Sequence, residues 1–146
     1  MVSINIPFMS TPLAAAERRK LLDRIHAIPI TNGLKFSIEE MTRGACALSM
    51  DRDRAFDGIF ETIHGGLLMT LADSAAAFAI LTVKGSDTKM ATTEMSSRFL
   101  APARDRVTAR ATVMKAGKRV CYCEARITDA SGAFVAHATV TYMILG

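Results

Sequence analysis

The stretch from residue 65 to residue 83 constrains the fold more than any other part of this chain. Its residues are apolar or small except for one carboxylate, Asp73, and it is followed by Lys84-Gly85, a cation and then a glycine that stops a helix. The stretch approaches the roughly 20 residues that a bilayer span needs, but an ionised carboxylate at its centre is costly in lipid. We therefore predict a core helix over about residues 66–83 and no membrane span.

Alternating apolar and polar residues on both sides of this helix predict strands. Residues 34–39 and 46–50 alternate and are separated by Gly44, a pattern that predicts a hairpin. Four further strands are predicted at residues 90–100, 107–115, 119–128 and 133–145. Short turns between neighbouring strands favour an antiparallel sheet, so the predicted class is α+β, with one sheet around a long helix.

The first 33 residues predict a helical extension of this domain. Thr11 can cap a helix and Pro12 suits its first position, while apolar residues at helical spacing continue to about His26. Pro29 and Asn32-Gly33 are expected to end that helix. No linker, repeat or low-complexity segment divides the chain, so a single domain over residues 1–146 is predicted.

The cysteines and the first residues indicate the cellular compartment of the protein. Cys46, Cys121 and Cys123 are odd in number, and the last two lie on the same face of a predicted strand, a poor geometry for a disulfide. No Cys-x-x-Cys motif or histidine cluster indicates a metal site. The first residues lack the features of a secretory signal. We expect reduced core cysteines, no metal and a cytoplasmic location.

Positive charge is concentrated in one part of the chain. Residues 98–126 carry eight basic and two acidic side chains, a net charge of +6, and the rest of the chain carries −2. The basic residues are Arg98, Arg104, Arg106, Arg110, Lys115, Lys118, Arg119 and Arg126. The simplest interpretation of this charge is a solvated surface, and the next is a binding site for a small polyphosphate. Nucleic acid ranks last, because the segment has few aromatic residues and no nucleic-acid-binding motif.

Two features indicate a site along the predicted helix. An unpaired carboxylate rarely stays in an apolar helix. Asp73 therefore either pairs with a basic side chain or lies on an exposed stripe of the helix, or it has a functional role. His64-Gly65-Gly66 precedes the helix, where glycines let a ligand approach the backbone and the first-turn N–H groups suit an oxygen that becomes negative. An ordinary loop-to-helix turn would look the same, so this motif gains its weight from Asp73.

Four motifs together resemble the hotdog-fold acyl-CoA thioesterases of the phenylacetate-degradation (PaaI-like) type. They are His64-Gly65-Gly66, Leu71-Ala72-Asp73-Ser74-Ala75, Thr92-Thr93-Glu94-Met95 and Phe99-Leu100-Ala101-Pro102. The similarity runs from about residue 34 to the end of the chain. It implies a hotdog fold, in which an antiparallel sheet wraps a central helix, and hydrolysis of an acyl-CoA thioester to a free acid and CoA without a cofactor.

The resemblance also implies residue roles. The N–H of Gly65 would hold the thioester carbonyl, with His64 and Gly66 beside it, and Asp73 would act as nucleophile or general base. Thr92 matches the hydroxyl that places the attacking water in such enzymes, and Thr93 is its rival.

One departure from the family pattern precedes the histidine. Many relatives carry an Asn and a Gly where this chain has Gly58 and Glu61. Asp57, Glu61 or His64 are the candidates to replace the missing amide. A second carboxylate near Asp73 would raise the pKa of one of the two, although a solvent-facing Glu61 is the simpler interpretation.

The substrate implied by the resemblance gives the basic segment a use. The phosphates of CoA would lie on Arg98, Lys118 or Arg119, with Arg104 and Lys115 as alternatives. A non-catalytic acyl-CoA-binding or sensing protein on the same fold is the alternative function; Asp73 argues against it and the lost amide argues for it. A dehydratase or hydratase is a third possibility, but such enzymes pair His with an acid in other motifs.

Helix geometry adds a prediction about assembly. Gly65 and Asp73 are eight residues apart, about 12 Å of helix rise, so one carbonyl group cannot contact both on a straight helix. If both act on one thioester, they come from two subunits. We therefore expect a two-fold dimer with antiparallel central helices and two composite sites. The family is commonly tetrameric, as a dimer of dimers.

Overall fold

The computed structural model describes residues 11–146, and within them a six-stranded antiparallel sheet surrounds one long helix. The strands are β1 (Ser37–Thr42), β2 (Ala45–Met50), β3 (Met90–Phe99), β4 (Val107–Ala116), β5 (Val120–Asp129) and β6 (Phe134–Ile144). The helices are α1 (Ala15–His26), α2 (Pro29–Gly33) and α3 (Gly65–Lys84), with a short 3-10 turn at Arg54–Phe56. The spatial order of the strands is β1-β2-β4-β5-β6-β3. This arrangement confirms the predicted α+β hotdog fold.

The apolar run forms the core helix α3. Leu71, Ala75 and Ala79 are fully buried at a spacing of four residues, and the small alanines let the helix lie close to β2, β4 and β5. α3 is long and apolar enough to cross a membrane, but more than half of its most apolar stretch is buried inside this fold. That burial is typical of the core helix of a soluble protein.

The predicted start of the first helix is wrong. α1 begins at Ala15, and its N-cap residue Ala14 provides no side-chain cap, so Thr11 and Pro12 lie outside the helix. The carbonyl of Thr11 instead accepts a hydrogen bond from the N–H of Arg43 at 3.0 Å, which ties the chain to the β1–β2 turn. The first ten residues of the predicted extension lie outside the described part of the chain.

The segment between α1 and β1 also differs from the prediction. Pro29 occupies the first turn of α2, a position that proline favours as much as it disfavours a helix interior. The N–H of Leu34 bonds to the carbonyl of Ile30, and Lys35 has a φ of +55°, so the chain is still turning at residue 35. β1 therefore begins at Ser37, three residues later than expected.

The edge strand β3 contains a β-bulge that determines which side chains face α3. Its pairing with β6 shifts register between Thr92 and Glu94. In a regular strand, residues seven apart face opposite sides of the sheet. Because of the bulge, Thr92 and Phe99 both face α3, where they contact Asp73 and the space beside Gly65. Arg98, next to Phe99, consequently lies on the other face of the sheet.

The three cysteines are buried and free. Burial raises the pKa of the Cys46 and Cys123 thiols to about 12, so both are protonated at neutral pH. Protonated thiols in an apolar core are unreactive. The cysteines therefore serve as small core residues, in agreement with the expectation from their spacing.

Candidate active site

At the start of α3, one backbone N–H is free and the next one bonds to the N-cap side chain. His64 is the N-cap residue, and its Nδ1 accepts a hydrogen bond from the N–H of Gly66 at 2.9 Å. The N–H of Gly65 has no acceptor anywhere in residues 11–146. Gly65 is thus the donor available to a ligand, whereas the Gly66 donor, expected from the sequence to bind substrate, is already occupied.

The capping bond also determines the state of the imidazole and the identity of residue 66. With Nδ1 as acceptor, a neutral His64 carries its proton on Nε2, which leaves a side-chain donor beside the helix start. A Cβ atom on residue 66 would lie 3.0 Å from Nδ1 of His64. A side chain there would crowd the imidazole, so a glycine at residue 66 favours the cap.

The ring of Phe99 covers Gly65. A Cβ atom on residue 65 would lie 3.2 Å from Cε1 of Phe99, which is tighter than an ordinary contact. The ring forms one wall of an apolar groove of about 430 Å³, which continues past Leu68, Leu100 and Pro102. Gly65, whose N–H is free, is therefore one of the residues that line this apolar groove, which we call the Phe99 groove.

Asp73 is held by two hydroxyl groups and by no basic side chain among the described residues. Thr92 Oγ1 donates to Asp73 Oδ1 at 2.9 Å. The hydroxyl of Tyr142 donates to the same oxygen and also lies within hydrogen-bond distance of the main-chain carbonyl of Asp73. In the part of the chain that the structure covers, Oδ2 accepts no hydrogen bond, so this oxygen is open to a ligand.

Tyr142 was not predicted from the sequence as part of the site. It lies on β6 directly opposite Thr92 and is 97% buried, so both side chains approach α3 from the same face of the sheet. Burial, followed by the charge of Asp73, raises the pKa of its phenol, which therefore stays protonated and acts as a donor. A usable signal existed: a tyrosine at an inward position of a strand needs a partner for its hydroxyl.

The bulge in β3 separates the two threonines between which the sequence left a choice. Thr92 contacts Asp73, whereas Thr93 Oγ1 donates to the main-chain carbonyl of Thr141 at 3.2 Å. The structure therefore brings Thr92 to Asp73 and keeps Thr93 away from it. Gly65 and Asp73 remain about 12 Å apart along α3, as their spacing requires.

Arg52, which was not predicted from the sequence, holds the loop before His64. Arg52 forms a two-pronged ion pair with Asp57, with Nε to Oδ1 at 2.8 Å, and donates to the carbonyls of Glu61 and Arg104 at 2.7 and 3.2 Å. This hydrogen-bonded pair lowers the pKa of the Asp57 carboxyl. Asp57 is therefore committed to the loop and is not free to replace the missing amide.

Glu61 occupies a backbone conformation that favours glycine. Its φ is +55°, in the left-handed region that favours glycine, and its side chain is exposed. Within the described ranges, the Glu61 carboxylate forms no hydrogen bond or ion pair, and in particular none to Asp73. The solvent-facing interpretation of Glu61 fits this geometry better than a role beside Asp73.

The basic segment divides into paired and unpaired residues. Arg106 pairs with Glu39 and Asp51, Arg110 pairs with Glu40, and Arg126 lies 4.4 Å over the Phe134 ring. Among residues 11–146, no ion pair involves the remaining five: Arg98, Arg104, Lys115, Lys118 and Arg119.

The basic residues without ion pairs differ in their positions relative to α3. Lys118 and Arg119 form the tip of the β4–β5 hairpin, which is joined to the C-terminal end of α3 by a 2.7 Å hydrogen bond from Lys84 Nζ to the carbonyl of Gly117. Residue 84 is roughly 16 Å of helix rise from Asp73 and roughly 28 Å from Gly65. Arg98, on the outer face, is separated from Asp73 by the sheet.

Comparison with known proteins gives consistent matches. The model of the thioesterase superfamily matches residues 60–141. Among curated proteins, the medium/long-chain acyl-CoA thioesterase YigI of Salmonella typhimurium is 23% identical over 154 residues, covering 93% of this chain and 99% of that protein. The Escherichia coli YigI gives the same figures.

The fold of this chain is similar to that of several solved structures. A thioesterase family protein from Silicibacter pomeroyi superposes with a TM-score of 0.82 at 28% identity, covering 88% of this chain and 98% of that one. The E. coli PaaI protein, from the phenylacetic acid degradation operon, gives a TM-score of 0.79 at 22% identity, covering 89% of this chain and 96% of that one.

Proposed function

The chain belongs to the thioesterase superfamily, and we propose that it hydrolyses an acyl-CoA thioester to a free acid and CoA, with Asp73 as the catalytic carboxylate. The observation that carries this proposal is the state of Asp73. One carboxylate oxygen is fixed by Tyr142 and Thr92 while the other accepts no bond from the described residues. A half-buried carboxylate held in this way is oriented without being neutralised, which suits a nucleophile or a general base.

In the nucleophilic route, Asp73 Oδ2 forms a bond to the thioester carbonyl carbon. The C–S bond then breaks, the CoA thiolate leaves and takes a proton from water, and the resulting anhydride is hydrolysed by a second water. In the general-base route, Asp73 takes the proton of a water that attacks the carbonyl, and that proton passes to the thiolate. Both routes yield the acid and CoA without a metal or redox cofactor.

The start of α3 supplies the complementary part of the site. The carbonyl oxygen gains negative charge in either route, and the N–H of Gly65 at the positive end of α3 is a donor suited to it. The Nε2–H of His64 is a second donor on the same side. In this proposal Thr92, which is hydrogen-bonded to Asp73, holds the attacking water.

The distance between these parts supports a composite site. One carbonyl group cannot lie within hydrogen-bond distance of Gly65 and Asp73 of the same straight helix, which are about 12 Å apart. We propose that Gly65 of one subunit works with Asp73 of another in a homodimer, and that dimers pair into tetramers.

The nucleotide part of CoA requires cations at a distance from the thioester. Lys118 and Arg119 suit this role on the subunit that supplies the carboxylate, because their hairpin tip is bonded to Lys84, roughly 16 Å of helix rise beyond Asp73. The position of Arg98 on the outer face makes it the weaker of the proposed phosphate ligands. A cytoplasmic location, where CoA esters and reduced cysteines occur together, completes the proposal.

A hydrolysis assay tests this function. Purified protein is offered a panel of acyl-CoAs, and thiol release is followed with a chromogenic disulfide. Asp73→Asn should reduce turnover by a factor of roughly 10² or more, while Asp87→Asn, an exposed carboxylate in the turn after α3, should leave it unchanged. Wild-type-like turnover by a folded Asp73→Asn variant would exclude the proposed role.

A non-catalytic acyl-CoA-binding protein is the second candidate. Gly58, which has no side chain where many relatives carry an amide, favours it. This alternative predicts tight acyl-CoA binding by the wild-type protein with no thiol release from any substrate.

A further inference from the structure

Arg52 bonds to separate segments of the chain beside the start of α3. Its guanidinium forms the two-pronged ion pair with Asp57 and donates to the main-chain carbonyls of Glu61, at 2.7 Å, and Arg104, at 3.2 Å. It makes these four hydrogen bonds with the five N–H groups that an arginine has. The Arg52 and Asp57 side chains are only 14% and 13% exposed, so water competes weakly for the bonds. Arg52 lies two residues after the end of β2, which fixes it to the sheet.

The Phe99 groove has two walls, and Arg52 bonds to the residue at the end of each. One wall is formed by residues between 62 and 68, and the other by residues 99–103. Glu61 directly precedes the first wall, and Arg104 directly follows the second. Arg52 therefore fixes one end of each wall relative to the sheet and relative to the other wall.

The loop that leads to His64 depends on this support. The N–H of Gly58 bonds to the carbonyl of Thr62 at 2.8 Å, which closes the loop, and Glu61 lies between them with a φ of +55°. This left-handed conformation is costly for a residue that has a side chain. Because Arg52 holds the carbonyl of this same residue, it stabilises the loop in the conformation that the left-handed residue requires.

We infer that Arg52 is a positioning residue of the reaction, an assignment that rests on the proposed function. It acts through the loop and the groove walls and not on the substrate. Its bonds determine where the free N–H of Gly65 points and where the ring of Phe99 lies beside it. An oxyanion donor must be correctly placed to stabilise the transition state, and a displacement of about 1 Å can cost a factor of roughly 10² in rate. Loss of Arg52 should therefore lower kcat far more than it changes KM.

Arg52→Gln tests this role, and Arg43→Gln is the matched control. Arg43 also forms an ion pair, with Glu17, and donates to a main-chain carbonyl, that of Thr82, but at the opposite end of α3 from Gly65. The readout is kcat and KM for thiol release from the acyl-CoA that the wild-type protein hydrolyses best. Arg52→Gln should lower kcat roughly tenfold or more and change KM by less than about threefold. Arg43→Gln should leave kcat within about twofold.

A kcat for Arg52→Gln equal to that of Arg43→Gln would overturn the assignment. If the glutamine variant does not fold, Arg52→Lys decides. Lysine keeps the charge but lacks the planar fork that reaches Asp57 and the two carbonyls together, so kcat should still fall by about threefold or more. A folded Arg52→Lys variant with wild-type kcat would equally contradict the positioning role.

Glu61→Gly provides a rescue that a general structural defect would not show. Glycine adopts the left-handed conformation without support from Arg52. In the Arg52→Gln background, Glu61→Gly should raise kcat by about threefold or more, and in the wild-type background it should change kcat by less than about twofold. Equal effects in the two backgrounds would contradict the coupling between Arg52 and the loop.

Hydrogen exchange followed by mass spectrometry measures the loop independently of the reaction. Residues 57–66 contain four hydrogen-bonded main-chain N–H groups, those of Gly58, Glu61, Ile63 and Gly66. Peptides from this segment should exchange about tenfold faster or more in Arg52→Gln and at the wild-type rate in Arg43→Gln. Unchanged exchange in Arg52→Gln would overturn the inference even where the wild-type protein is active. If the wild-type protein releases thiol from no acyl-CoA, the proposed function itself is wrong, and the positioning role falls with it.

Discussion

The buried hydroxyl of Tyr142 is the donor that most constrains Asp73, and Tyr142→Phe tests how this carboxylate is held. The variant keeps the ring in the core and deletes only the donor to Oδ1. A hydrogen bond to a charged group contributes about 1.5–3 kcal/mol. Because Thr92 still donates to Oδ1 and Asp73 is half-buried, water offsets part of this loss. We expect the free energy of unfolding at pH 7 to fall by about 1–2 kcal/mol.

The same variant has a pH signature. Burial and the Asp73 carboxylate raise the pKa of Tyr142 in the folded protein, whereas an unfolded tyrosine ionises near pH 10. The stability that the protonated phenol contributes is therefore fully present below pH 10 and is lost as the pH rises further. Each pH unit above 10 should cost the wild-type protein up to about 1.4 kcal/mol that Tyr142→Phe does not lose.

Urea denaturation followed by circular dichroism, at one fixed protein concentration from pH 7 to pH 11, measures both effects. The stability difference between the two proteins should narrow between pH 10 and pH 11. Tyr122, the other tyrosine and 40% exposed on β5, provides the control: Tyr122→Phe should change stability at pH 7 by no more than about 0.5 kcal/mol. The contact between Tyr142 and Asp73 would be refuted if the stability difference between wild type and Tyr142→Phe stayed constant to pH 11. It would also be refuted if the difference between wild type and Tyr122→Phe narrowed equally.

Three further predictions concern the loop before His64 and the hairpin tip. The pKa of Asp57 is lowered by its arginine partner, so the stability that the Asp57 carboxylate contributes is present above about pH 4 and is lost as the pH falls. The urea midpoint of the wild-type protein should therefore decline more steeply below about pH 4 than that of Asp57→Asn. Glu61→Gly relieves a left-handed backbone and should raise the free energy of unfolding by about 0.5–1 kcal/mol, measured at pH 7; a decrease would contradict the strain argument. Lys118→Ala with Arg119→Ala should raise KM for acyl-CoA several-fold more than KM for a thioester without the nucleotide, and equal effects would indicate only a solvated face.

The elements that the sequence predicted well are those with strong hydrophobic periodicity. Only a buried helix accommodates residues 65–83 in a chain otherwise full of strand patterns, and the observed helix differs from the prediction by one residue at each end. The four strands after the helix agree with the prediction to within one residue at every end. Where one residue type allows two outcomes, the prediction was incomplete: α1 ends at His26 as expected, but Pro29 also begins the short helix α2, which was not predicted.

The contacts within the site depend on features that the sequence does not show. Strand alternation alone would place Arg98 on the same face as Thr92, six residues away, but the bulge between Thr92 and Glu94 moves it to the opposite face. The roles of Tyr142 and Arg52 depend on contacts between residues distant in the chain, 69 residues apart for Tyr142 and Asp73. Local patterns carry no information about such pairs. Asp73 and His64-Gly65-Gly66 could be singled out from the sequence because a carboxylate inside an apolar helix and two glycines at a helix start are unusual, and their catalytic roles stay predictions.

The central claim is that Gly65 of one subunit and Asp73 of another act on the same thioester. Mixing two inactive variants tests this claim most directly. Asp73→Ala removes the carboxylate, and Gly65→Pro removes the donor N–H. Each variant is first shown to be a folded dimer with little thiol release from acyl-CoA.

After co-expression, about half of all dimers are mixed, and each mixed dimer holds one site with an intact Gly65 and an intact Asp73. Thiol release at about a quarter of the wild-type rate is the predicted result. Isolated mixed dimers that remain as inactive as their parents would contradict the composite site.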